Sequence, residues 1–105
     1  MEIISVEEQN GTPKRFKVTT LEWGKKRVYQ FGQPNGFTYI DGASKTIRRN
    51  YLLRHMANET EAYLINNNIP SPALFSAKLL WGNSSNIIEN IEDLNETFEK
   101  NTNNY

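Results

Sequence analysis

The order of two sequence patterns along the chain does most to restrict its fold. Up to residue 31, runs of β-branched and aromatic residues alternate with turn residues, such as Asn10-Gly11 and Gly24-Lys25-Lys26. This pattern predicts three antiparallel strands joined as a meander, in 3–8, 15–23 and 27–31. Residues 37–42 are expected to form either a fourth short strand or an ordered loop.

From Ser44 onward the pattern becomes helical. Ser44 and Ser71 are suitable N-cap residues, Pro72 suits the first helical position, and Gly82 suits a helix end. These signals predict helical segments over 45–57, 58–68, 72–81 and 86–99. The last has an apolar stripe opposite its acidic residues: Ile87, Ile88, Ile91, Leu94 and Phe98. We therefore predict an α+β fold, with an antiparallel meander of three to four strands packed against about three helices.

Length and composition exclude several classes of protein. With 105 residues the chain fits a single domain, which we place at 1–99, followed by a disordered tail over 100–105. The absence of Cys excludes disulfides, zinc fingers, iron–sulfur clusters and a thiol nucleophile. No apolar run approaches the ~20 residues that cross a bilayer, and the N-terminus lacks the basic start of a secretory signal. We expect a soluble intracellular protein without a membrane span.

A net charge of zero hides an uneven distribution. Residues 1–56 hold ten basic and five acidic residues, whereas 57–105 hold two basic and seven acidic ones. This asymmetry indicates a positive face for a polyanion or an acidic partner; alternatively, the halves neutralise each other across the fold or pack head to tail in an assembly. The candidate polyanion-binding residues are Lys14, Arg15, Lys17, Lys25, Lys26, Arg27, Lys45, Arg48, Arg49 and Arg54.

Strand alternation allows two interpretations of the sheet. Arg27, Tyr29 and Phe31 share one side of the third strand, so one sheet face is expected to mix basic and aromatic residues. Such a face is typical of a surface that stacks bases and neutralises phosphates. It also arises where Lys and Arg stems lie over aromatic rings at a sheet rim.

The sequence offers no recognisable catalytic or metal-binding motif. His55 is the only histidine, and its helix neighbour Glu59 predicts a surface contact. Asp41 has no nearby acidic residues with which to hold a cation, and the acidic residues of 89–96 are typical of a solvated helix face. We therefore expect no catalytic residue, no metal and no cofactor.

Several short motifs occur in a definite order: Phe31-Gly32, Tyr39-Ile40-Asp41, Arg48-Arg49-Asn50-Tyr51, Tyr51-x-x-Arg54-His55, Ser71-Pro72 and Phe75-Ser76-x-x-Leu79-Leu80-Trp81. This order, over about residues 27–98, resembles a group of small, largely uncharacterised proteins of large double-stranded DNA viruses. The loop at Thr38–Asp41 departs from the Asp-Tyr-Thr run of that group, so any role of the loop transfers poorly. The resemblance implies a viral origin and no known chemistry.

The motif residues also have a structural interpretation. Large apolar side chains are expected to pack the helices against each other and the sheet: Tyr51, Leu52, Phe75, Leu79, Leu80 and Trp81. Arg54 and His55 are expected to tie their helix to the Asp41 loop by charge-assisted hydrogen bonds.

Together with the resemblance, these features predict a non-catalytic viral protein, virion-associated as a structural or minor capsid component. Its partners would be other virion proteins or itself, in the host cytoplasm or the virion. The alternative is a nucleic-acid-binding accessory protein that uses the basic strand and helix face.

Overall fold

The computed structural model describes residues 1–103, with side chains described through residue 100. Within that span, a three-stranded antiparallel sheet of order β1-β2-β3 precedes four helices. The strands are β1 (Glu2–Glu8), β2 (Phe16–Glu22) and β3 (Lys25–Phe31). The helices are α1 (Lys45–Met56), α2 (Glu59–Asn66), α3 (Pro72–Phe75) and α4 (Ile87–Asn103). The predicted α+β class is confirmed.

One face of the sheet supplies the core. Alternation along β2 directs Phe16, Val18 and Thr20 to the same side, and all three are buried. Phe31 pairs with Phe16 across the strands, their ring centroids 5.6 Å apart. Phe75 of α3 covers Phe31 at 5.9 Å. Each buried side chain of this size contributes ~1.5–3 kcal/mol; among the helices, α3 packs against β3 and α4 packs against β1.

The motif residues contribute to this core as the sequence predicted. Phe75, Leu79, Leu80 and Trp81 belong to the buried cluster, with Tyr51 and Leu52 packed against it. The predicted helix over 72–81 is not uniform, because α3 passes into a wider π-helical turn at Ser76–Leu80. Beyond it, a Cβ atom at Gly82 would overlap the Lys78 carbonyl and the Asn90 side chain. Only glycine fits this close approach.

A buried amide fastens α4 to the segment before it. Asn90 is 1% exposed and donates hydrogen bonds to the carbonyls of Leu79 (2.9 Å) and Ser84 (2.8 Å). Its Oδ1 accepts the Ser84 N–H at 3.0 Å. Both the donor and the acceptor of the amide are therefore used, which links the end of the π-helical turn to α4.

The predicted fourth strand is absent from the described chain. Tyr39–Asp41 forms a short 3₁₀ turn instead, within an ordered loop. The Asp41 carboxylate accepts hydrogen bonds from the N–H and the hydroxyl of Thr38, and Gly42 ends the turn with φ +107°. These local bonds close the backbone into a turn, so the loop alternative was correct.

Other differences concern the surfaces of helices. Helix α1 has no fully buried residue, and its apolar Ile47 is exposed. On α4, Ile88 lies off the buried stripe, because a residue next to Ile87 is turned about 100° around the helix. The disordered tail was predicted over 100–105; α4 extends to Asn103, and residues 104–105 lie outside the described residues.

An ion pair joins the sheet to the loop that precedes α1. The Arg15 guanidinium donates to both carboxylate oxygens of Asp41 at 2.6 Å, and also to the Gly36 carbonyl and to Glu8. The hydrogen bond from Arg15 holds the pKa of Asp41 well below its ordinary value, and Asp41 likewise raises the pKa of Arg15. The two side chains form one partly buried bidentate unit, which fixes the loop over the end of the sheet.

We expect Asp41→Asn to lower the free energy of unfolding by about 2–3 kcal/mol near pH 7, because it leaves Arg15 without its charged partner. The folded pKa of Asp41 is depressed, so its contribution is present above the ordinary carboxyl pKa of about 4 and is lost as pH falls. Urea unfolding of both proteins should therefore show the difference shrinking below about pH 4. The exposed Asp93→Asn is the control. A difference that does not change with pH would contradict this account.

Asn90→Asp tests the buried amide. The variant keeps the shape but replaces the donor to Leu79 and Ser84 with a carboxylate oxygen, which faces those carbonyls. We expect a loss of about 3–5 kcal/mol in the free energy of unfolding, measured by denaturant titration. Asn50→Asp on the exposed side of α1 should change it by less than about 0.5 kcal/mol.

Candidate functional site

The tip of the β2–β3 hairpin holds the least expected residue of the molecule. Glu22 pairs with Lys25, so Trp23 and Gly24 form a two-residue turn, with φ of +54° and +79°. Positive φ at both positions is typical of a type I′ turn, in which Asn-Gly is favoured. A bulky aromatic residue rarely adopts this conformation. Trp23 does so while 95% exposed, and thus contributes no buried contact to the fold.

This turn begins one residue earlier than the sequence pattern predicted. The prediction ended the second strand at Trp23 and assigned Lys25 and Lys26 to the turn, whereas both belong to β3. The position of Trp23 directly before Gly24 was the sequence signal that could have identified Trp23-Gly24 as the turn.

Basic side chains follow the tip directly. Lys25, Lys26 and Arg27 are all exposed, and none forms an ion pair within the described part of the chain. Alternation puts Lys25 and Arg27 on the side of the sheet that carries Tyr29, and Lys26 on the opposite side with Val28. The tip therefore has positive charge on both sides of the strand.

The two edges of the sheet differ. At the β1 edge, the Ile3 N–H donates to Asn95 Oδ1 at 2.7 Å, and Asn95 Nδ2 donates to the Ile3 carbonyl at 3.2 Å. Asn95 of α4 thus occupies the groups with which another strand would pair. A register shift between Ile3 and Ser5 further disrupts this edge.

The β3 edge has no such cover. Because Glu22 and Lys25 flank a two-residue turn, they form a hydrogen-bonded pair, and such pairs alternate along the ladder. The N–H and C=O groups of Lys26, Val28 and Gln30 consequently point away from β2. Within residues 1–103, no hydrogen bond to these backbone groups is formed. β3 is an open edge next to an exposed tryptophan.

Three of the ten candidate polyanion-binding residues are engaged within the fold. Arg15 is paired with Asp41 and Glu8, and Lys17 lies 3.4 Å from Glu7. Arg48 Nε donates to the carbonyls of Trp81 and Gly82 at 3.1 and 2.8 Å, so it anchors α1 on the core.

The other seven form no ion pair within the described chain: Lys14, Lys25, Lys26, Arg27, Lys45, Arg49 and Arg54. They fall into two groups, at the hairpin tip and around α1. Strand β3 separates these groups by roughly 20 Å, at ~3.3 Å per residue.

The residues of the Tyr51-x-x-Arg54-His55 motif make contacts with one another and with neighbouring helical segments. The Tyr51 ring stacks on Trp81 at 4.2 Å and lies against His55 at 4.1 Å, and burial raises the pKa of its hydroxyl. The prediction that Arg54 and His55 bind the Asp41 loop was wrong. His55 Nδ1 lies 3.1 Å from Glu61, and Arg54 lies over the Tyr51 ring. Both carboxylate oxygens of Asp41 accept hydrogen bonds from Arg15 instead.

A cleft of about 550 Å³ lies between the loop 32–38, α1 and α3. His55 and Glu61 line it as a pair, and Tyr51 is stacked against two rings. The charged groups that remain at its rim are Lys14 and Arg54.

Within the described residues, no three His, Cys, Asp or Glu side chains converge to hold a metal ion, and no helix is long and apolar enough to cross a membrane.

Residues 5–55 match the model of a family of unknown function, DUF5754. The match spans just under half of the chain. It includes the hairpin tip, the β3 edge, the Arg15–Asp41 ion pair and nearly all of α1, and ends before α2. Searches of curated proteins and of solved structures find no match.

We expect Trp23→Asn to raise the free energy of unfolding by about 0.5–1.5 kcal/mol, because Asn-Gly suits a type I′ turn and relieves the strained φ. Trp23 is solvent-exposed, so the substitution removes almost no packing. Thermal and urea unfolding would measure the gain. Tyr63→Asn, at an exposed aromatic residue on α2, should give no gain. A destabilised Trp23→Asn would mean that the indole supports the hairpin.

Proposed function

We propose that this chain is a non-catalytic docking protein, which acts through protein–protein contacts at its β2–β3 hairpin. The observation that carries the proposal is the exposed Trp23 in a left-handed conformation. Strain that brings no gain to the fold is often retained where a residue has a role in function. Tryptophan is also among the residues most enriched at the energetic centres of protein interfaces.

The charge distribution supports a protein partner. Positive groups surround the hairpin tip, while the acidic residues of α4 lie beyond the opposite, β1 edge. A molecule with two oppositely charged sides favours oriented contacts with neighbouring proteins.

The nucleic-acid alternative has less support. A stacking surface uses several exposed rings in succession beside the cations; Trp23 offers one such ring at the tip, whereas Tyr29 and Phe31 pack against Phe75 on the helix-covered face. The free cations are also divided between two groups.

A virion-associated role, as a structural or minor capsid component of a large DNA virus, is the setting that we propose for this docking. It rests on the order of motifs from Phe31-Gly32 to Leu79-Leu80-Trp81, and it places the protein in the virion or the host cytoplasm. Quantitative mass spectrometry of gradient-purified particles is expected to find the chain in constant ratio to the major capsid protein. Its absence from particles would remove the virion role and leave the docking role in place.

The docking role is tested by cross-linking. A photoreactive phenylalanine analogue replaces Trp23, and Tyr63 serves as the matched position because it is another exposed aromatic residue, at 62%. We expect discrete cross-linked proteins from position 23 and none from position 63. Equal cross-linking from both positions would show that the hairpin has no preferred partner. Binding to a random oligonucleotide that weakens steeply between about 50 and 200 mM salt would favour the alternative.

A further inference from the structure

We infer that the open edge of β3 binds an extended, acidic segment of a partner protein, which adds to the sheet as a fourth strand. This inference rests on the proposed docking function and specifies its chemistry. Three residues on the edge, Lys26, Val28 and Gln30, direct N–H and C=O groups away from β2. These backbone groups are therefore available to hydrogen-bond with an added strand.

Backbone complementarity selects a polypeptide. The edge presents donors and acceptors in alternation, and an extended peptide offers acceptors and donors in the same spacing. A phosphate backbone offers acceptors alone, so it would leave the Lys26, Val28 and Gln30 carbonyls without a donor. Main-chain pairing of this kind is a common way of binding an extended segment.

Charge selects an acidic segment. Lys25, Lys26 and Arg27 have no ion-pair partner among the described side chains, and they lie on both sides of the strand. Directly opposite residues in an added strand have Cβ atoms about 4.5–5.5 Å apart. Acidic residues at alternate positions of the partner strand would thus face Lys25 and Arg27 on one side of the sheet, and the apolar residues between them would face Val28 and the Lys26 stem on the other.

A second copy of the chain fits this edge poorly. Pairing β3 with β3 would bring two clusters of three like charges to one ribbon, and exposed lysines are a known device against such pairing. The β1 strand is acidic, with Glu2, Glu7 and Glu8. Its edge, however, is occupied by Asn95 at Ile3 and interrupted by the register shift.

Trp23 has a defined place in this complex. It precedes Lys26, the first residue of the open edge, by three residues, so it lies at the end of the edge where a partner strand would enter or leave. An exposed indole there shields the terminal main-chain bonds from water and packs on an apolar side chain. Its strained conformation puts the ring outside the hairpin, where it has no contact to lose.

The experiment uses a synthetic peptide of about nine residues, alternating glutamate and valine, with blocked ends. Amide hydrogen exchange of the full chain, followed by NMR, measures binding. We expect the peptide to protect the amides of Lys26, Val28 and Gln30 while those of β1 stay unchanged. A peptide of the same sequence with every backbone amide N-methylated keeps its charge and loses the donors of both strand edges, so it should bind at least about tenfold more weakly. Equal binding of the two peptides would overturn strand addition.

Variants of the chain complete the test. Val28→Pro removes an N–H that β2 does not use, as an edge strand tolerates, and should weaken peptide binding at least about tenfold; Val28→Thr keeps the N–H and should bind normally. Should the proline variant fail to fold, Arg27→Glu replaces it: this reversal, on the side that the charged residues of the peptide face, should shift the preference towards an alternating lysine–valine peptide. Trp23→Asn should weaken binding about tenfold although it stabilises the fold.

Other results would overturn the inference. Absence of protection at millimolar peptide removes strand addition, and cross-linking from position 23 would then retain docking by another mode. Concentration-dependent protection of Lys26, Val28 and Gln30 without peptide, together with dimers in analytical ultracentrifugation, would show that a second copy is the occupant. If position 23 gives no cross-linked protein and the peptide does not bind either, the docking function is removed as well.

Discussion

A three-stranded sheet has two faces and two edges, and this chain has enough helix to cover only part of them. Helices α3 and α4 cover the face that carries Phe16, Val18 and Phe31. Helix α4 also closes the β1 edge through Asn95. Neither the outer face nor the β3 edge has a cover within the described residues. The docking that we propose therefore uses this uncovered edge of the sheet rather than the cleft.

The Arg15–Asp41 ion pair links this open side to the helical half. Arg15 directly precedes β2, and Asp41 lies in the 3₁₀ turn shortly before α1. Their bidentate contact at 2.6 Å fixes the path of the chain from the end of β3 to the start of α1. Arg48 then holds α1 to the carbonyls that follow the π-helical turn. Two of the arginines in the basic half thus serve the architecture, and this divides the remaining positive charge between the hairpin tip and α1.

The strands and helices could be predicted because their signals are local. Alternation identified β2, and Ser71-Pro72 identified the start of α3, where the Ser71 hydroxyl accepts the Leu74 N–H. Contacts between distant residues could not be predicted in this way. Asn95 bonds to a residue 92 positions away, and among fourteen asparagines nothing in the sequence distinguishes it or Asn90. Asp41 was predicted to bind Arg54 and His55 for the same reason. Its actual partner, Arg15, is distant in sequence and is brought close to Asp41 only by the folding of the sheet.

Trp23 goes against the residue preferences of its own position in the hairpin. Asparagine would suit its left-handed conformation, and a polar residue would suit its exposure, so both local preferences oppose tryptophan. Other unfavourable features of the chain are compensated within it: Asn90 is buried but fully bonded, and Arg15 is partly buried but paired. No compensation for Trp23 lies within residues 1–103. Such a residue, beside an open strand edge, is accounted for by the docking that we propose, because a partner would bury the indole and compensate for both preferences.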